Sequence, residues 1–380
     1  MSAGVASADA TRRFLDAEAD RLARLCHRMA ERFARSGRLL ALGDTPAARS
    51  DARHVAVEFV HPVIVGKRAL PALALTAEGG PLREQVSLLA AEADIVIAFG
   101  AEEPVLRAVA LARERGCLTI AFAVVGAEHE FIPSAGDPWA DQEIVETLYH
   151  VLWELVHVFF DHRGLLVGRA PRATHDAGAS SFLYPFLDER EQALEPVVAD
   201  VRESVRMKAA ETAALRAQTL GENADALQAA GVSLRECFAA GGMLLALGNG
   251  GSATDAMDVV ADLRAAGHPA IDLTEDTGII TAVANDIGVE AIFLRQVIAY
   301  GRPGDALLAL STSGNSANLL AALAQARRLG LITIAMVGYD GGVVAADRLA
   351  DHVIITHSDH IPRIQEAQAT AYHALCRMLG

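Results

Sequence analysis

One pentapeptide occurs twice in this chain, as Leu39-Leu40-Ala41-Leu42-Gly43 and as Leu244-Leu245-Ala246-Leu247-Gly248, and the same succession of matches follows each occurrence. Ser50-Asp51-Ala52-Arg53-His54 aligns with Thr254-Asp255-Ala256-Met257-Asp258. Arg115-Gly116-Cys117-Leu118-Thr119-Ile120 aligns with Leu329-Gly330-Leu331-Ile332-Thr333-Ile334, and Asp141-Gln142-Glu143 with Ile364-Gln365-Glu366. Four matches in one order imply a unit of roughly 190 residues, duplicated and fused. The spacing between partners widens along the chain, so the second copy carries insertions, chiefly the helical stretch 281–299.

Within each copy the apolar pattern alternates between strand and helix. Helical spacing of Phe14, Leu15, Leu22, Leu25, Met29 and Phe33 predicts a helix over 8–36. Short apolar runs predict strands at 39–42, 72–75, 95–99 and 118–125, and a helix covers 142–160. The plan restarts with helices over 188–218 and 223–240. Strands follow at 243–247, 270–273, 306–310, 333–337 and 352–356, and a closing helix begins near Arg363. Strands separated by crossover helices make a parallel sheet between two helical layers. The expected fold is therefore α/β: two tandem domains, 1–160 and 188–380, each a three-layer α/β/α sandwich, joined by a Gly-, Ala- and Arg-rich linker over 161–187.

The 380 residues carry a net charge of −15, which argues against general binding to nucleic acid or to anionic membranes, because both need a positive surface. An anionic ligand must then be held by local dipoles. No run of 18 apolar residues predicts a membrane span, and residues 1–14 lack the apolar segment of a signal peptide, so a cytoplasmic setting is expected. The scattered Cys26, Cys117, Cys237 and Cys376 suggest neither a disulfide framework nor a thiolate metal site.

Each copy keeps what the other lacks. The second has two loops of small residues, Gly248-Asn249-Gly250-Gly251-Ser252 and Ser311-Thr312-Ser313-Gly314-Asn315-Ser316. A Ser/Thr loop between strand and helix offers hydroxyls, free N–H groups and the positive end of a helix dipole, so Ser311, Thr312, Ser313 and Ser316 are candidate phosphate ligands. At that place the first copy has Gly100-Ala101-Glu102-Glu103, whose carboxylates would repel a phosphate. The first copy instead has His54 and Glu58 one helical turn apart, with Gln142 and His150 two turns apart on the closing helix. Two such helices can converge four N/O donors, a set suited to Zn²⁺ or another divalent ion. The second copy reads Asp258, Asp262, Gln365 and His373 at these positions, and its shorter Asp262 would withdraw a base. His61 and His157 are expected to be structural, as is Arg302.

The ordered set Asn-Gly-Gly-Ser, Asn285-Asp286, Gly301-Arg302-Pro303-Gly304-Asp305, Ser-Thr-Ser-Gly-Asn-Ser and Arg363-Ile364-Gln365-Glu366 resembles the sugar isomerase (SIS) domain, and within it the phosphoheptose isomerases. The resemblance covers nearly all of 190–380. Over 10–160 it rests mainly on the repeat and on the His/Glu/Gln/His set. It implies metal binding by His54, Glu58, Gln142 and His150, with Glu58 and His150 as base and acid. It also implies that Asn249, Ser252, Asp276 and Gln365 contact the sugar. The implied reaction converts sedoheptulose 7-phosphate to D-glycero-D-manno-heptose 7-phosphate through an enediol, at a site drawing on both copies. The implied assembly is a homodimer that reproduces a tetramer of SIS domains. A different class of function remains open, a non-catalytic sugar-phosphate-sensing or protein-binding SIS protein. Amide transfer is disfavoured by the lack of an N-terminal Cys.

Overall fold

A computed structural model describes residues 2–63, 67–161, 165–166 and 193–380. The linker expected over 161–187 lies almost wholly outside them. The first copy runs α1 (Ser2–Ala34), β1 (Leu39–Gly43), α2 (Pro46–Val60), β2 (Ala72–Thr76), α3 (Leu82–Leu89), β3 (Ile95–Phe99), α4 (Glu103–Glu114), β4 (Leu118–Ala121), β5 (His129–Glu130) and α5 (Pro138–Asp161). The second runs α6 (Leu194–Glu222), α7 (Ala224–Ala239), β6 (Leu244–Leu247), α8 (Gly251–Ala265), β7 (Ala270–Asp272), α9 (Thr277–Asp286), α10 (Ile292–Tyr300), β8 (Ala306–Ser311), α11 (Ala317–Leu329), β9 (Ile332–Gly338), α12 (Gly342–Ala346), β10 (His352–Thr356) and α13 (Ile361–Leu379).

Both sheets are parallel, with orders β2-β1-β3-β4-β5 and β7-β6-β8-β9-β10, so the two topologies coincide strand for strand. Alternate residues of β1 and β3 serve opposite layers, as the pleat requires. Leu39, Ala41, Ile95 and Ile97 join one apolar cluster with α1, α2 and α5. Leu40, Leu42, Val96 and Ala98 join another with α3 and α4. Burial on both faces explains why these strands read as continuous apolar runs rather than alternating ones.

The duplication extends to details not apparent in the sequence. Asp94 accepts the Arg38 N–H at 2.7 Å and the Ala91 N–H at 2.9 Å. Asp305 does the same for Met243 at 2.9 Å and Arg302 at 2.8 Å. Each carboxylate ties the entry of β1 or β6 to the turn before its sheet neighbour, β3 or β8. Arg302 thus takes part in that turn through its backbone. At Gly43 an added Cβ would lie 2.2 Å from the Ala48 carbonyl, and at Gly248 it would lie 2.1 Å from that of Ser252. Both strand-to-helix junctions therefore exclude any side chain.

One expectation needs correction. The strand expected over 118–125 ends at Ala121, because the N–H groups of Val125, Gly126 and Ala127 turn to the Glu130 carboxylate, at 2.9, 2.6 and 3.0 Å. The two-residue β5 that follows had no apolar pattern to announce it. The compact units are Ala10–Ala210, and Met1–Asp9 with Glu211–Gly380.

Candidate active site

In the first copy the candidate residues sit on α2 and α5. Thr45 caps α2 by accepting the Ala48 N–H at 3.2 Å. One turn separates His54 from Glu58, and both are at most 2% exposed, as is His150 on α5. The Nε2 atoms of His54 and His150 are 3.3 Å apart, and Glu58 Oε1 lies 3.9 Å from His54 Nε2. Two nitrogens bound tetrahedrally at about 2.0 Å stand about 3.3 Å apart, so this spacing fits a zinc centre. The donor atoms of all three residues lie within 4.8 Å of one another. The Tyr149 hydroxyl meets His54 Nδ1 at 3.1 Å, the outer contact that orients a ligating imidazole.

The structure brings together three of the four expected ligands. Gln142 is partly buried and lies two turns before His150, about 12 Å along the α5 axis. His157 is held by two backbone carbonyls, Trp153 at 2.8 Å and Arg68 at 3.1 Å, which fits a structural role. His61 ends α2 and is exposed.

The second copy repeats the arrangement with different donors. Tyr372 donates to Asp258 at 2.9 Å, as Tyr149 meets His54. His373 Nε2 lies 3.9 Å from Asp258 and 3.7 Å from Asp262. Two carboxylates and one imidazole thus replace two imidazoles and one carboxylate.

The Ser/Thr loop expected to take a phosphate occupies the end of β8 and the start of α11. Gly314 has φ 64, a left-handed conformation, and its N–H donates to Ser311 Oγ at 3.1 Å. An added Cβ there would be 2.4 Å from the Gly341 carbonyl, and one at Gly342 would be 2.4 Å from that of Ser313. The loop and the turn after β9 therefore interlock through glycine, and Asn315 Oδ1 accepts the Val343 N–H at 2.8 Å to fix the contact. Ser311 is buried, while Thr312, Ser313 and Ser316 are partly exposed. Of the expected sugar contacts, Ser252 and Gln365 are buried on α8 and α13. Asn249 exchanges amide hydrogen bonds with Asn318 at 3.0 and 2.9 Å. Asp276 is exposed and caps α9 by accepting the Ile279 N–H at 2.8 Å. Sequence reasoning missed Gln368, fully buried on α13, whose amide donates to the Ser311 carbonyl at 3.2 Å. Its counterpart in the repeat is Val145, a contrast that would have drawn attention to it.

In the first copy the corresponding place is closed by the chain itself. A Cβ at Gly100 would lie 2.3 Å from Glu102 Oε2, so that carboxylate folds over the loop at the N-terminus of α4. The Glu130 carboxylate fills the neighbouring nest of three N–H groups, an arrangement that otherwise takes anions.

The sequence profile of the SIS domain matches residues 209–338. The phosphoheptose isomerase of Desulfovibrio desulfuricans is 39% identical over 194 residues, covering 50% of this chain and 88% of that protein. The chain belongs to the SIS domain family. The phosphoheptose isomerase of Geotalea daltonii is 45% identical over 152 residues, covering 38% of this chain and 78% of its own length. The tagatose-6-phosphate ketose/aldose isomerase of Escherichia coli superposes with a TM-score of 0.58 over 98% of this chain and 91% of that one. At 14% identity, that likeness shows the fold alone. No helix among the described residues is long and apolar enough to cross a membrane.

Proposed function

We propose that this SIS protein is an aldose–ketose isomerase of sugar phosphates, with sedoheptulose 7-phosphate as substrate and D-glycero-D-manno-heptose 7-phosphate as product. The observation that carries the reading is the buried His54–Glu58–His150 cluster, in a chain whose other copy keeps an open, glycine-locked anion loop. The Ser/Thr loop binds the phosphate through hydroxyls, N–H groups and the α11 dipole. Glu58 carries a proton between C1 and C2, and His150 serves the oxygen end. His54, Glu58 and His150 would hold a zinc ion, with Gln142 as the further ligand the family resemblance suggests. When bound, the ion stabilises the negative charge of the enediolate. Tyr149 fixes the His54 ring, and the buried setting keeps water from the proton in transit. A homodimer would present four SIS domains, and light scattering should then give twice the 40.1 kDa chain mass.

The test is turnover of sedoheptulose 7-phosphate by wild type, Glu58→Gln and Ser313→Ala. Conversion by wild type and its loss in both variants is the expected result. Full activity in Glu58→Gln would remove the first copy from the chemistry. No conversion by the wild type would favour the sensing role.

A further inference from the structure

Gln368 lies on α13 one helical turn after Ile364, so the two share a face of that helix. This face covers the ends of β8 and β9, where an added Cβ at Gly338 would lie 2.6 Å from an Ile364 methyl group. Gln368 is fully buried, and its Nε2 donates to the Ser311 carbonyl at 3.2 Å. Its Oε1, equally shut off from solvent, meets no donor among the described residues. The amide cannot be turned over to relieve this, because oxygen would then face oxygen at Ser311. A methionine would fill similar space without an unmet acceptor, so packing alone does not account for a glutamine here.

What the donor achieves follows from the geometry of the peptide. Among the described residues every peptide bond is trans, so a carbonyl and the N–H that follows it point in opposite directions. Drawing the Ser311 carbonyl towards α13 therefore turns the Thr312 N–H away from that helix. The Thr312 carbonyl is constrained by β9, since an added Cβ at Gly338 would lie 2.4 Å from it, and the Ser313 N–H accordingly points away from β9. Ser311 also anchors the loop internally, its Oγ accepting the Gly314 N–H at 3.1 Å. Successive N–H groups turned outward in this way make a hollow for an anion. At the matching position the first copy has Val145, which can donate nothing, and there Glu102 closes the loop.

Resting on the phosphate-binding part of the isomerase reading, we infer that Gln368 is a positioning residue for the Ser/Thr loop. It acts through Ser311 rather than by touching the phosphate. Its amide donor fixes the Ser311 carbonyl and thereby presents the Thr312 N–H to the anion, and the unmet Oε1 is the accompanying cost.

The test measures inorganic phosphate binding by calorimetry, together with thermal unfolding, for wild type, Gln368→Met and Gln368→His. Methionine removes the donor and the unmet acceptor at once, whereas a neutral imidazole restores an N–H at similar reach. Gln368→Met should bind phosphate about fivefold more weakly, as expected for losing one neutral hydrogen bond, while melting no lower than wild type. Gln368→His should bind phosphate as wild type does. Unchanged affinity in Gln368→Met would overturn the positioning role and leave the loop standing. So would a weakening that comes with a lower melting temperature and that histidine does not restore, because packing would then explain it. Failure of wild type to bind phosphate would overturn the loop, and the role of Gln368 with it. Binding is read without turnover, so the expected pattern in a protein that converts no sugar phosphate would remove the isomerase reading alone.

Discussion

At the scale of single residues, the two copies differ by a trade of charge. His54, Glu58 and His150 form a donor set with one carboxylate, whereas Asp258, Asp262 and His373 form one with two. The tyrosine before each closing-helix histidine is kept, with Tyr149 on His54 and Tyr372 on Asp258. Outer contacts of this kind hold a ligating ring in place, and losing one costs about 10- to 100-fold in metal affinity. Tyr149→Phe should therefore weaken zinc binding by about that factor in a chelator competition, with the fold intact by circular dichroism. Unchanged affinity would show that the hydroxyl does not orient His54. The His54/Glu58/His150 triad could be read from the sequence, because one helical turn and one repeat register place its members. The contacts of Tyr149 and Gln368 could not. They depend on which groups a distant element brings near, the His54 ring for one and the Ser311 carbonyl for the other, and no local spacing encodes that.

Among the elements, apolar runs located the strands well because both faces of each sheet are buried. They failed at β4, where Ala123, Val124 and Val125 extend the apolar run into a turn. That turn forms because Glu130, a few residues on, satisfies three N–H groups. Element boundaries of this kind are set by a polar partner, which hydrophobic pattern does not register. The interlocked glycines lead to a sharper expectation. Gly314→Ala would put a methyl group 2.4 Å from the Gly341 carbonyl while also forcing φ 64 on a chiral residue. Gly241→Ala, with φ 82 and nothing within 4 Å, meets only the second penalty. Thermal unfolding should show Gly314→Ala to be the more destabilising, by about 1–3 kcal/mol beyond the control, with phosphate binding lost. Equal effects would mean that the loop and the turn after β9 separate at little cost.

For the whole molecule, the four cysteines provide a test of native packing. All are buried thiols. Burial raises the pKa of Cys26, and burial followed by the charges of Asp262 and Asp258 raises that of Cys376. Cys117 and Cys237 shift upward as well, chiefly by burial. A raised thiol pKa leaves the neutral form dominant to higher pH, and only the thiolate is alkylated readily. Iodoacetamide at pH 8 should modify almost nothing in the native protein and all four thiols in guanidinium. Rapid labelling of Cys26 or Cys376 in buffer would show that their cores open far more often than the packing implies. The matched order of the two sheets also bears on how this chain reaches its native state. β1 and β6 carry the same Leu-Leu-Ala-Leu, and each pairs in register with two neighbours of its own sheet. Either segment could dock in the other sheet during refolding with its hydrogen bonds satisfied, a trap to which repeated domains are prone. The native choice is left to the flanking strands, Ile95–Phe99 in one sheet and Ala306–Ser311 in the other. A strand common to both sheets is thus told apart only by the company it keeps, Ile-Val-Ile-Ala-Phe in one and Ala-Leu-Leu-Ala-Leu-Ser in the other.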